Sequence, residues 1–149
     1  MINAAKAIAT CGIGYIGKGG GSVAAAVYCA VWLVAVDNIN TVWSIVLVLT
    51  ILFLGTWSSD KVEHIWGHDS SKVVIDEVAG MMITLLWVPA DIKYVLIGFI
   101  LFRFFDILKP LGIKSAERLP GGWGVMADDV LAGIYTNILL QVAVKLSIL

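Results

Sequence analysis

Five apolar stretches divide the chain, at roughly 22–36, 41–57, 73–89, 93–108 and 129–148, each bounded by charge, glycine or proline. Their length and continuity predict helices, since an open sheet in lipid would leave its edge N–H and C=O groups unpaired. Most hold about 16 residues, which as helix cover about 24 Å of the roughly 30 Å hydrocarbon core of a bilayer. Local thinning of the bilayer, or semi-polar turns such as Trp57 to His64 added to a helix end, makes up the difference. The expected architecture is all-α: a compact multi-span membrane bundle of about five short apolar helices plus short connecting helices. A soluble bundle with an unusually apolar interior is the alternative to it.

Composition supports the lipid environment. Apolar residues make up 60% of the 149 and charged residues 14%, against about 25% charged in an ordinary soluble domain. The length suits a single domain, 1–149. A net charge of -1 with no run of Lys or Arg argues against a nucleic-acid partner. Cys11 and Cys29 lie in apolar surroundings without metal-ligand spacing and read as packing residues in a reducing compartment. The N-terminal stretch carries one Lys6 and is broken by Gly12, Gly14 and Gly17, so it is expected to be retained and not cleaved as a signal peptide.

When the chain is threaded through these segments, turning at 37–40, 64–72, 89–91 and 109–128, one face collects nearly all the charge. Lys18, Lys61, Lys72, Arg103, Lys109, Lys114 and Arg118 fall there, with Lys93 and Lys145 opposite. By the positive-inside rule the crowded face is cytoplasmic. The acids segregate the same way, leaving only Asp37 and Asp91 on the far side. Adding or losing one span would scramble the pattern.

Ionisable residues in or at the ends of spans cost about 2.5 to 3.5 kcal/mol each at the bilayer centre, so a chain that keeps them should use them. Arg103, Asp106 and Lys109 follow at i, i+3 spacing on one helical stripe. Arg103 offers a planar fork to phosphate oxygens and Lys109 a point charge, with Asp106 orienting Arg103 or binding metal. An intrahelical ion pair at a snorkelling helix end is the plainer explanation. Asp76-Glu77-Val78-Ala79-Gly80 and Asp128-Asp129-Val130-Leu131-Ala132-Gly133 each set two acids and a small-residue step at the expected start of an apolar helix. Capping accounts for one acid of each pair, not for two. The small residues let these helices approach closely. Converging carboxylates without His or Cys suit a hard cation such as Mg²⁺.

The run Gly17-Lys18-Gly19-Gly20-Gly21-Ser22 opens a span where free backbone N–H groups form an anion site, or it is a plain flexible turn. It imitates a P-loop, but Gly19 stands where Ser or Thr is required and no strand precedes it. Asp60, His64 and His68 recur at i, i+4 as in a zinc site, although paired histidines at an interface are more often polar surface, and His68-Asp69 is read as peripheral to the main site.

Together these motifs resemble the phosphatidylglycerophosphatase A family, on Val73–Met81, Phe102–Pro110 and Gly121–Gly133, in that order and with His68-Asp69 just ahead of the first. The resemblance implies a Mg²⁺-dependent phosphatase of the bacterial inner membrane, with its active site on the cytoplasmic face, that converts phosphatidylglycerol phosphate to phosphatidylglycerol. It implies a functional set of Asp76, Glu77, Arg103, Asp106, Lys109, Asp128 and Asp129. The family commonly carries a pattern like PGTxGS in the first glycine loop, whereas this chain keeps only the Gly-Ser ending, with Lys18 added and the Thr hydroxyl lost.

The mechanism expected from these residues has Asp76, Glu77, Asp128 and Asp129 holding Mg²⁺, Lys18, Ser22, Arg103 and Lys109 gripping the phosphate, and a carboxylate such as Glu77 serving as base. Spacing does not choose between water and an aspartyl nucleophile. No Cys-x₅-Arg or DxDxT string offers a metal-free or soluble-phosphatase route. Two rival readings are a small membrane transporter, whose charges would mark a permeation path, and a catalytically inactive lipid-binding family member.

Overall fold

The computed structural model describes residues 1–35, 40–68 and 70–147. Among them the fold is all-α: α1 (Ile2–Thr10), a 3₁₀ turn (Gly14–Ile16), α2 (Gly20–Ala35), α3 (Thr41–Trp66), α4 (Ile75–Leu85), α5 (Ile92–Leu108), α6 (Ile113–Ala116) and α7 (Gly122–Lys145). The predicted turn at 37–40 and the Asp37 and Asp69 positions lie outside the described residues, apart from Asn40.

Local chemistry explains the boundaries. Asn40 caps α3, its Oδ1 accepting from Trp43 N at 3.0 Å, and Asp91 caps α5 by accepting from Lys93 N at 2.8 Å. The apolar stretch expected to run to residue 89 leaves the helix at Leu85, ahead of Trp87 with φ 60° and of Pro89. The carbonyls released there are not left unpaired. Asn137 Nδ2 donates to Thr84 O and Leu86 O at 3.0 and 2.9 Å, and Gln141 Nε2 donates to Leu86 O at 3.0 Å. Two polar residues of α7 thus finish α4.

α7 starts at Gly122, well before the expected start at 129. Gly121 to Gly124 read as a loop in sequence because glycine is a poor helix former. Tertiary packing overrides that: a Cβ on Gly122 would lie 2.0 Å from Thr56 O, and one on Gly124 would lie 2.2 Å from Leu119 O. Only glycine lets α7 begin against the backbone of α3 and of the α6–α7 connection.

α4 is the centre of the fold. It packs most extensively on α7 and also touches α2, α3 and α5. Its contact with α7 is backbone on backbone, since a Cβ on Gly133 would stand 2.4 Å from Gly80 O. The small-residue steps foreseen in the two acidic motifs do bring these helices together. Met81, Leu85, Phe102, Ala132 and Leu140 fill one core, and Val62, Ile75, Ala79, Val125 and Met126 fill another towards α1.

Among the described residues two helices, α3 and α7, are long and apolar enough to cross a membrane. At 26 and 24 residues they measure about 39 and 36 Å, longer than the roughly 30 Å hydrocarbon core. Only 11% of the most apolar stretch of α3 is buried inside the protein, so its Leu49, Phe53 and neighbours face outward. α2 is a shorter apolar helix of 16 residues.

Candidate active site

The N-terminal ends of α2, α4 and α7 and the C-terminal ends of α3 and α5 meet at one end of the molecule, as the contacts Gly21 to Glu77, Glu77 to Arg103, Lys109 to Asp128 and Gly121 to Asp60 show. Two carboxylates come from the first turn of α4, where a helix dipole favours acids. Asp76 is 6% exposed, and its Oδ1 accepts from Glu77 N at 3.1 Å. A third comes from α7. Asp129 is 3% exposed, and one oxygen each of Asp76, Glu77 and Asp129 lie within 4.8 Å of one another.

The pair Asp128-Asp129 does not sit at a helix start, because α7 begins at Gly122. Neither capping nor the dipole of the first turn explains these two acids. They occupy a buried helical position for which stability alone gives no reason. Their side chains diverge as adjacent helical residues must. Asp129 joins Asp76 and Glu77, while Asp128 takes Lys109 Nζ at 2.6 Å.

Arg103, on the last turns of α5, faces the acid cluster. Its Nη1 lies 2.5 Å from Asp106 Oδ2 and 3.7 Å from Glu77 Oε1. Asp106 therefore orients Arg103, one of the two roles open to it in sequence. Arg103 Nε is buried without a hydrogen-bond partner. Lys109 follows at the end of the helix with φ 47° and turns away from Arg103 to Asp128 and to Glu117 Oε2, the latter at 3.1 Å. Nothing in the sequence marks Glu117 as part of the site. It lies in the connection after α6, where no spacing relates it to Lys109 or Asp128.

The glycine loop reaches the same place. A Cβ on Gly21 would come 1.7 Å from Glu77 Oε1, so the start of α2 lies directly on the Glu77 carboxylate. Lys18 is exposed and Ser22 half-buried beside it. A Gly21→Ala substitution should push the Glu77 carboxylate aside with little loss of fold, since the atoms met are the far end of a flexible side chain. Isothermal titration with a divalent cation should show binding weakened at least about tenfold.

Six carboxylates, those of Asp76, Glu77, Asp106, Glu117, Asp128 and Asp129, are gathered around two cations, Arg103 and Lys109. Glu77 Oε2 and Asp129 Oδ1 are buried with no hydrogen-bond partner. Buried acceptors are normally satisfied, and buried charges normally paired. Excess negative charge, orphaned oxygens and an all-oxygen donor set fit a hard divalent cation held by Asp76, Glu77 and Asp129.

The phosphatidylglycerophosphatase A family model matches residues 7–144. The chain belongs to that family. A Bacteroides thetaiotaomicron protein provisionally named a phosphatidylinositol-3-phosphatase is 51% identical over 100 residues, covering 65% of this chain and 63% of the relative. The phosphatidylglycerophosphatase A of Haemophilus influenzae is 43% identical over 101 residues, with 64% and 62% covered, and that of Escherichia coli is 44% identical over 69 residues, with 45% and 40% covered. The matched stretches thus span less than two thirds of each relative. No solved structure matches the chain.

Asp60 and His64 lie on the extended α3, and His68 lies beyond it, with Nδ1 2.6 Å from Glu63 Oε1 and Nε2 3.2 Å from Glu117 O. Asp76, Glu77 and Asp129 are the group with metal-ligating geometry among the described residues, so Asp60, His64 and His68 do not form the zinc site their spacing imitates. Cys29 is buried in the core as expected, but Cys11 is exposed at the end of α1, with φ 47°.

Proposed function

We propose that this chain is a membrane enzyme that hydrolyses a lipid phosphate monoester, phosphatidylglycerol phosphate, to phosphatidylglycerol and inorganic phosphate with the help of Mg²⁺. The observation that carries this reading is the convergence of Asp76, Glu77 and Asp129 within 4.8 Å, beside Arg103. The family description and the two relatives named phosphatidylglycerophosphatase A support the choice of lipid.

In this reading the bundle crosses the inner membrane several times, its five longer helices following the five apolar stretches, and the acid cluster opens to the cytoplasm. Asp76, Glu77 and Asp129 would hold a divalent ion, which when bound would supply Lewis-acid polarisation of the phosphoryl group and a more acidic water. Arg103 binds the non-bridging phosphate oxygens through its buried Nε and Nη1, and Asp106 fixes the guanidinium plane. Glu77 accepts the proton of the attacking water. Lys18 and Ser22 contact the phosphate from the glycine loop. Lys109 holds Asp128 in place and adds positive potential to the site.

The test is phosphate release from phosphatidylglycerol phosphate in mixed micelles, with Mg²⁺ and with EDTA. Rates should fall to background in EDTA and return with Mg²⁺. Unchanged rates in EDTA would remove the metal-carboxylate chemistry. Phosphatidylinositol 3-phosphate, run in parallel, tests whether the head-group alcohol matters. A transporter would instead show flux in proteoliposomes without phosphate release, and an inactive member would retain lipid without turnover.

Arg103→Lys keeps the charge and loses the planar fork. Activity is expected to fall about 10- to 100-fold, mostly in kcat, because the lost contacts strengthen as charge builds on the transferring phosphoryl group. A steady-state kcat against KM comparison checks it.

A further inference from the structure

A second charged feature lies outside the acid cluster, where α3 ends. Trp66 is the last residue of that candidate span, so it stands where an aromatic residue meets the bilayer interface. Lys6 Nζ, from α1, is 5.9 Å from the centre of the Trp66 ring, and Lys72 Nζ, from the approach to α4, is 5.4 Å from it. Tyr15 meets the same ring edge-on with centroids 6.5 Å apart. Lys6 and Tyr15, far from Trp66 in sequence, and Lys72, just after it, therefore converge on one indole. Neither lysine forms an ion pair among the described residues, whereas Arg103 and Lys109 both do. Two like charges drawn to one ring repel each other, and among the described residues no carboxylate pairs with either. The rim is apolar and outward-facing: Tyr15 and Ile16 are each 63% exposed, and Ile65 is 46% exposed.

Two lysines around amphipathic aromatics, edged by exposed aliphatic side chains, have the chemistry of a surface that meets phospholipid head groups. The location agrees. Val74 N donates to Ala9 O at 2.9 Å, tying α1 to the approach of α4, and Gly14 is pressed on the Lys72 carbonyl. The collar thus flanks the strand of chain that delivers Asp76 and Glu77.

We propose that Lys6, Lys72, Trp66 and Tyr15 form a docking surface for anionic phospholipid of the surrounding leaflet, distinct from the site of hydrolysis. It rests on the reading of the chain as a membrane protein and not on the hydrolysis itself. Charge complementarity selects an anionic head group over a zwitterionic one, and the exposed Ile16, Ile65 and Tyr15 select a lipid over free phosphate. Such a surface would hold anionic lipid beside the acid cluster and set the depth of α1 at the interface.

The experiment uses the full chain in detergent with EDTA, titrated with phosphatidylglycerol, phosphatidylcholine or inorganic phosphate. Tryptophan fluorescence is followed, and Trp66→Phe identifies the Trp66 signal. The expected result is a saturable response to phosphatidylglycerol and none to the other two. Its midpoint should rise at least about tenfold in Lys6→Gln/Lys72→Gln and stay within about threefold in Lys6→Arg/Lys72→Arg. Salt should weaken the wild-type response, since exposed charges are screened. An equal response to phosphatidylcholine or to phosphate, a Gln pair that binds like wild type, or a salt-insensitive midpoint would each overturn the proposal. If the Gln pair loses its helical circular dichroism, the Arg pair and the salt series still decide. Asp129→Asn should leave the midpoint unchanged, so a failure of the hydrolytic reading and a failure of this one are told apart.

Discussion

Asp129→Asn is expected to lower phosphate release at least about 100-fold while leaving the fold intact. The residue is 3% exposed on α7 and contributes one oxygen to the cluster with Asp76 and Glu77. Asparagine has nearly the same shape, so packing is preserved, but it removes one negative charge and an anionic ligand. In the absence of divalent cation the variant should be as stable as the wild type or more so, because the like charges of Asp76, Glu77 and Asp106 no longer face a fourth carboxylate. In its presence the order should reverse. A ligand that binds only the folded state adds about 2.7 kcal/mol at 100 times its dissociation constant, and the variant forfeits most of that. Thermal unfolding with Mg²⁺ and with EDTA, beside the phosphate assay, reads both effects. A variant that keeps wild-type turnover, or that gains the same stabilisation from Mg²⁺, would sink the assignment of Asp129 to the metal.

Gly133→Ala should be a severely damaging single-methyl change, because it strikes the contact between the two helices that carry the acid cluster. In an exposed helix interior the substitution would gain up to about 1 kcal/mol of helix propensity. Here the new Cβ would meet Gly80 O at 2.4 Å, with Gly80 C at 3.1 Å behind it. Both are backbone atoms of the central helix and cannot swing aside, so α7 must move off α4. Overpacking of this kind costs about 1 to 3 kcal/mol or more, which exceeds the propensity gain. Asp129 lies one turn from Gly133, so the same shift pulls it from Asp76 and Glu77. Stability and activity are expected to fall together. Gly98→Ala is the comparison: its Cβ would meet the tip of Leu140 at 2.9 Å, a side chain that can repack, and the loss should be small. If Gly133→Ala unfolds no earlier than Gly98→Ala, the close α4–α7 contact is not as described.

Much of the site was legible before the fold. Asp76, Glu77, Asp128 and Asp129 stood out because acids are costly in apolar segments, and Gly80 and Gly133 because small residues permit close helices, but the order of residues did not separate Asp128, which takes Lys109, from the three acids that converge. Arg103 and Asp106 pair as the i, i+3 spacing predicts. Helix boundaries were less legible. Gly122 to Gly124 belong to α7 for reasons that lie in Thr56 and Leu119, and α4 can end early because Asn137 and Gln141 donate to its loose carbonyls. Single-sequence patterns carry no information about such partners.

The sequence by itself determined the helical class, the apolar surface and the identity of the acids and bases, because periodicity, hydropathy and charge are properties of the residues in order. Only the tertiary structure decided the division of labour among them. Asp128 is bound to Lys109 and Glu117 stands behind it, Glu77 presses on Gly21, and Lys6 and Lys72 share Trp66. Each of these depends on which helix faces which across the bundle, and that is set by backbone contacts between residues far apart in the chain.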